Sequence, residues 1–235
     1  MAFISDLVAT IAEVEDMPES TVGLVARYAR EAGFLSQGAR GRNAPHATVR
    51  DCANLLIAVN AMGNRLKDVP QIIDTFRQMV LKVKLHSLSD LFDFLHKDDL
   101  PFGDALEAVL CMFVDGTAQS YYVRGLSSLF EPIEFGWEGV EGSETPPTDE
   151  EKFEWFNSLD ISGGLVQVAF QQPGFAARII QNKLRRTDDN AQSEVVFLPT
   201  VEAYGTGLLA NRKGDRLQET TIGHRTLAAV AALLR

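Results

Sequence analysis

Residues 19–61 read ESTVGLVARYAREAGFLSQGARGRNAPHATVRDCANLLIAVNA, and the punctuation of this stretch decides how the N-terminal part folds. From Thr21, the apolar set Val22, Val25, Ala26, Tyr28, Ala29 and Ala32 recurs at helical spacing until Gly33. A glycine there suits the left-handed conformation that closes a helix, with Phe34 and Leu35 folding back on it. Ser36 to Ala47 contains Gly38, Gly41 and Pro45, which interrupt a helix, so this segment is expected as a loop or short hairpin. Thr48 then stands as an N-cap, with Asp51 placed three residues on where an acid favours a helix start, ahead of the apolar run 52–62. The order is helix, glycine stop, arginine-glycine loop, helix.

Working outward, Leu7, Val8, Ile11, Ala12 and Val14 predict a short helix that ends before Met17-Pro18. Downstream, helices are expected over roughly 69–84, 87–96 and 102–115, the second capped by Ser87 and the third opened by Pro101. After Gly116 the pattern changes. The stretch 121–140, with Tyr121, Tyr122, Val123, Ile133, Phe135 and Trp137, alternates in part, and 165–170 and 194–198 are short β-type runs. Residues 138–151 hold six acids and Pro146-Pro147, too little apolar surface to offset chain entropy, and read as an exposed acidic loop. The closing TLAAVAALLR, 226–235, is expected as a helix docking by Leu227, Val230, Ala231 and Leu234. The expected fold class is α+β: an N-terminal helical unit over 1–66, a helical connector for oligomerisation over 67–117, and a mixed α/β domain over 118–235.

Charge singles out the same segment. Between Ser20 and Arg50 the chain carries Arg27, Arg30, Arg40, Arg42 and Arg50 against Glu31 alone, a balance of +4 within a chain of net charge −10, which leaves −14 elsewhere. A clustered arginine face neutralises phosphates locally even on an acidic protein, although the acidity argues against nonspecific coating of nucleic acid.

At this segment the sequence resembles a known family. Thr21, Arg27-Tyr28, Arg30-Glu31-Ala32-Gly33-Phe34-Leu35, the arginine-glycine loop and the helix bearing Asp51 and Leu55 are similar to the winged helix-turn-helix of the MerR-like regulators. In that family a motif resembling RYYEREGLL joins the recognition helix to the wing. The likeness covers about the first 62 residues; Thr21 to Gly33 is about one helical turn longer than the family spacing, and Ala29 separates Tyr28 from Arg30. The resemblance implies that the helix 21–32 enters the major groove while the wing 36–47 touches backbone or minor groove. It assigns Arg27 and Arg30 to base edges or phosphates, and Arg40, Arg42 and Arg50 to phosphates, with His46 beside them. It also implies double-stranded DNA as partner and a homodimer or higher oligomer, since paired half-sites raise affinity.

Other chemistry finds no pattern. His86, His96 and His224 stand apart from metal-ligand spacings, so no metal or cofactor is expected. Ser162-Gly163-Gly164 and Gly205-Thr206-Gly207 lack the rest of a phosphate-loop motif and read as turns, while Asp98-Asp99 and Asp188-Asp189 sit in polar surroundings without a partner set. The chain is therefore expected not to be an enzyme. Cys52 and Cys111 each fall in a helical apolar pattern and are expected as buried free thiols. No apolar run reaches about 18 residues, and the first residues lack a basic stretch before an apolar one, so a cytoplasmic protein without membrane contact is expected. Trp137, Trp155, Phe156 and Tyr204 are candidate pocket walls in the C-terminal half.

The preferred expectation is a sequence-specific DNA-binding protein of the transcription-regulator kind. Two others stand beside it. One is a phage-type packaging or assembly factor resembling small terminase subunits, with a helix-turn-helix on an oligomerisation core and a protein partner for the C-terminal half. The other is a protein-binding module or decayed enzyme whose basic face meets an acidic partner.

Overall fold

The computed structural model of the chain describes residues 2–38, 45–63, 65–85, 100–121, 166–172, 176–182, 192–198 and 218–235. Six helices and five strands are numbered here in chain order among those residues. They are α1 (Ile4–Val14), α2 (Glu19–Glu31), α3 (Val49–Ala61), α4 (Val69–Arg77), β1 (Val80–Leu85), α5 (Phe102–Val114), β2 (Val166–Gln172), β3 (Ala176–Asn182), β4 (Gln192–Leu198), β5 (Gln218–Gly223) and α6 (His224–Ala232). The fold is α+β.

α1 buries Ile4, Leu7, Val8, Ile11 and Ala12, and the Asp6 carboxylate reaches back to accept the Phe3 N–H at 2.8 Å. It turns into α2 through Glu15 to Pro18, with Asp16 at φ 49° and the Met17 N–H donating to the Ala12 carbonyl at 2.8 Å. α2 buries Val22, Val25, Ala26 and Ala29 and ends as expected at Gly33, φ 82°. There the Gly33 N–H donates to the Arg30 carbonyl and the Phe34 N–H to the Ala29 carbonyl, the paired bonds of a Schellman motif. α3 is capped by Thr48 and Asp51, each bonding the other's backbone N–H, and every residue from Asp51 to Ala61 is buried. A helix buried on all sides belongs at the centre, and α1, α2, α4, α5, β2 and β5 all pack on α3.

The helix expected over 69–84 is corrected. α4 stops at Arg77, and 80–85 is a strand, β1. Its sequence, VLKVKL, places Lys82 and Lys84 two apart among apolar residues, the period of a strand and not of a helix, and β4 supplies the partner backbone. All neighbouring strands are antiparallel, in the order β1-β4-β3-β2-β5. On one sheet face Val168 lies opposite Ile179 and Ile222, and Phe170 opposite Ala177, all in the core shared with the helices. Tyr121, read as the start of a strand-like run, is helical together with residues 117–120, which follow Gly116, φ 80°. The rest of that run, the helix expected over 87–96 and the acidic segment 138–151 lie outside the described residues.

α6 ties the chain's two ends together. Leu227, Val230 and Ala231 are buried, and α6 packs on α1, α5 and β5. The Thr226 hydroxyl donates to Glu15 Oε1 at 2.7 Å, and the Arg235 guanidinium donates at 2.8 Å to the Val114 and Phe113 carbonyls that α5 leaves open at its end. Burial pushes the Glu15 carboxyl above its ordinary 4.5, more than the Thr226 hydrogen bond lowers it. A folded-state value above the unfolded one means that the stability linked to this proton is present below pH 4.5 and is lost as pH rises through the raised value. Glu15→Gln is therefore expected to raise Tm at pH 7 and to lose that gain by pH 4; an equal gain at both pH values would place its cause elsewhere. His224 behaves oppositely: burial, then the Arg225 charge, lowers its pKa, so protonation below pH 6.5 opposes folding.

Candidate nucleic-acid interface

Four of the basic residues lie on α2, at the start of α3 or just before it. Arg27 and Arg30 project from the outer side of α2, Arg50 from the first turn of α3, and His46 from the segment just before it, and all four are exposed. Arg40 and Arg42 lie outside the described residues, which leave the chain at Gly38 and rejoin it at Pro45. Those two limbs meet closely: a Cβ built on Gly38 would lie 2.6 Å from the Pro45 Cδ, so this neck requires glycine. A larger side chain at 38 would push the limbs apart.

Each limb is fastened to the helices. The Gln37 side-chain amide donates to the Arg30 carbonyl at 2.7 Å. On the far limb, the Ala47 N–H donates to the Ala2 carbonyl at 2.8 Å, and His46 bridges Phe3 in antiparallel fashion. The Phe3 and His46 rings stack with centroids 5.0 Å apart and planes at 20°. At the root, Asp51, only 2% exposed, accepts from the Ser36 N–H (2.7 Å), the Ser36 hydroxyl (2.8 Å), the Thr48 N–H (2.8 Å) and the Thr48 hydroxyl (2.7 Å). The sequence marked Asp51 only as a helix-start acid; its bond to Ser36 joins residues fifteen apart and had no local signal.

A second polar chain lies just behind. Asn54 donates to the Phe34 carbonyl at 2.6 Å and accepts from Arg77 Nη1 at 2.8 Å, while Arg77 Nη2 reaches Glu107 at 2.6 Å and Asp104 at 3.3 Å. Buried polar groups hold position when they are hydrogen-bonded to one another. The loop root is thereby connected through α3 and α4 to α5.

Electrostatics separate the arginines. Arg27 bonds Glu31 at 2.7 Å, one helical turn on, and that acid holds its guanidinium the more firmly protonated. Arg30 and Arg50 enter no ion pair with another described residue. Asp51, next to Arg50 on α3, is turned inward and used up by its four donors. Under a DNA-binding role for this face, Glu31→Gln, which removes the ion-pair partner of Arg27, is expected to tighten DNA binding about threefold at low salt, with the gain fading as salt screens it. Unchanged affinity would remove Arg27 from the contact surface.

Elsewhere the described residues offer little chemistry. Cys52 is buried, and burial pushes its thiol up to about 12, so it is unreactive. Cys111, expected to be buried, is exposed on α5: its helix buries Leu106, Val109, Leu110 and Phe113, and position 111 falls on the other side. Among the described residues no three of His, Cys, Asp and Glu converge as metal ligands, and no helix is long and apolar enough to cross a membrane. The two glycine turns, the paired aspartates, His86, His96 and the four candidate pocket-wall aromatics lie outside the described residues. Comparison with protein-family models, curated proteins and solved structures finds no match to this chain.

Proposed function

We propose that this chain is a sequence-specific DNA-binding protein of the transcription-regulator kind, using α1 and α2 as a helix-turn-helix and the arginine-rich segment 36–47 as a wing. The observation that carries this reading is a set of exposed cations on two segments tied to one buried carboxylate. Arg27, Arg30, His46 and Arg50 are exposed around a loop root whose two limbs are held by a buried carboxylate. A solvated loop of no function needs no such anchoring, whereas groove recognition needs both charge and a set spacing.

The four-residue turn between α1 and α2 matches the length at which a helix-turn-helix joins its two helices. Along the outer face of α2, Ser20, Leu24, Arg27 and Arg30 are exposed, with Leu24 at 40%. That set has the chemistry of base readout: arginine forks for guanine, a hydroxyl for either kind of base, and an apolar side chain for a thymine methyl. Arg40, Arg42 and Arg50 take phosphates. Two copies on paired half-sites complete the recognition, and the α4–α5 region or the sheet supplies the self-association surface.

The test is selection of double-stranded fragments from a genomic pool across a salt series, with the oligomer mass recorded. Recovery of discrete fragments, with log affinity falling linearly against log salt, supports the regulator reading. Uniform retention of all fragments by a many-membered ring favours the packaging-factor reading, and no retention even at low salt moves the basic face to a protein partner.

A further inference from the structure

Asp51 is buried while the cations are exposed, yet it is bonded to both segments that join them. Ser36 comes directly after the Schellman turn that ends α2, and Thr48 opens α3. Both present a backbone N–H and a hydroxyl to the same carboxylate, at 2.7 to 2.8 Å. With Asp51 only 2% exposed, water does not substitute for these bonds, and donors to an ionised acceptor are the short, directional kind. One turn further along α3, Asn54 fastens the Phe34 carbonyl, so the end of α2 is held to α3 at two successive levels.

We propose that Asp51 is the positioning residue of the DNA interface: from inside the protein it sets the spacing between Arg27 and Arg30 on α2 and His46 and Arg50 at α3, and so governs which DNA sequence is preferred. This rests on the DNA-binding reading above. The two components of binding respond differently to spacing. Attraction to phosphates falls slowly with distance and depends mainly on how many cations are present. Base-edge hydrogen bonds require donor–acceptor distances within a few tenths of an ångström of their optimum. A root that is loosened, with all cations retained, therefore loses discrimination while keeping general affinity.

The experiment compares wild type, Ser36→Ala, Ser36→Thr and Asp51→Asn for binding to a fragment selected by wild type and to a scrambled duplex of equal length, each well below its own Tm. Asp51→Asn is expected to lower the ratio of the two affinities about tenfold, the scale of one lost base-edge contact, and Ser36→Ala about threefold. Affinity for the scrambled duplex and its salt slope stay at the wild-type level. Ser36→Thr, which keeps the hydroxyl and the N–H, restores the ratio. If Asp51→Asn does not fold, Ser36→Ala decides alone. A wild type that discriminates alongside variants that discriminate equally well overturns the positioning role and leaves the DNA-binding reading standing. A wild type with no preference between the two duplexes overturns both.

Discussion

Arg40→Ala combined with Arg42→Ala is expected to weaken binding about a hundredfold at ~0.15 M salt, on selected and scrambled DNA alike, because two charge-assisted contacts to phosphate are lost. The slope of log affinity against log salt should flatten by about 1.8, the counterions that two arginines release. The chemistry of this loop argues for phosphate over base. Arg40 and Arg42 flank Gly41 in the sequence; an arginine fork suits phosphate, and a glycine between two of them permits close approach. The structure adds the platform: the limbs at Gly38 and Pro45 are in contact, and Ser36 and Thr48 are bonded to Asp51. Arg27→Ala and Arg30→Ala, on the helix, should instead alter which fragments are selected. Equal, sequence-blind losses from all four substitutions would contradict the assignment of helix and loop to different roles.

What the sequence disclosed here was local. The stop at Gly33 was readable because a left-handed cap needs only the helix before it, and the Thr48–Asp51 pair because both partners lie within one turn. α6 was readable because Leu227, Val230 and Ala231 repeat at helical spacing. The missed elements depend on distant partners. β1 was absorbed into a helix because Val80 continues the apolar spacing of Ile73 and Phe76, and only pairing with β4, more than a hundred residues away, fixes it as a strand. β5, QETTIG, has one apolar residue, Ile222, which the sheet buries on its inner face, so alternation could not reveal it. The same limit applied to the site. Cations were visible as charge, and the Arg27–Glu31 pair followed from i,i+4 spacing, but nothing near Ser36 announces a bond to Asp51, nor anything near Phe3 a stack on His46.

Phe170→Ala is expected to cost about 4 kcal/mol, in the range for deleting a fully buried ring without collapse of its cavity. Phe170, on β2, sits between two other rings: its centroid lies 5.8 Å from Phe76 on α4 and 6.0 Å from Phe102 on α5, and those two are 6.4 Å apart. Each ring comes from a different element, and all three are buried. One core runs from Ile4 and Leu7 on α1 through α3 to this trio and on to Leu227 and Val230 on α6. The three segments into which composition divides the chain, 1–66, 67–117 and 118–235, thus all contribute to the same packed interior. Removing the ring at their junction should lower the midpoint of a single unfolding transition, observed alike by far-ultraviolet circular dichroism and by exchange of amides in α2 and α3. Tilted and edge-on contacts add to the burial term, so Phe170→Leu, which fills most of the volume, should recover more than half of the loss. If Phe170→Ala instead produced two transitions, with α1 to α3 melting as in wild type, the N-terminal unit would be thermodynamically independent of the sheet. The coupling of the loop root to α5 through Asn54 and Arg77 would then carry no stability between them. A single lowered transition makes that polar chain part of the same cooperative unit, in which a ligand or partner bound at the sheet stabilises the proposed DNA-binding face without touching it.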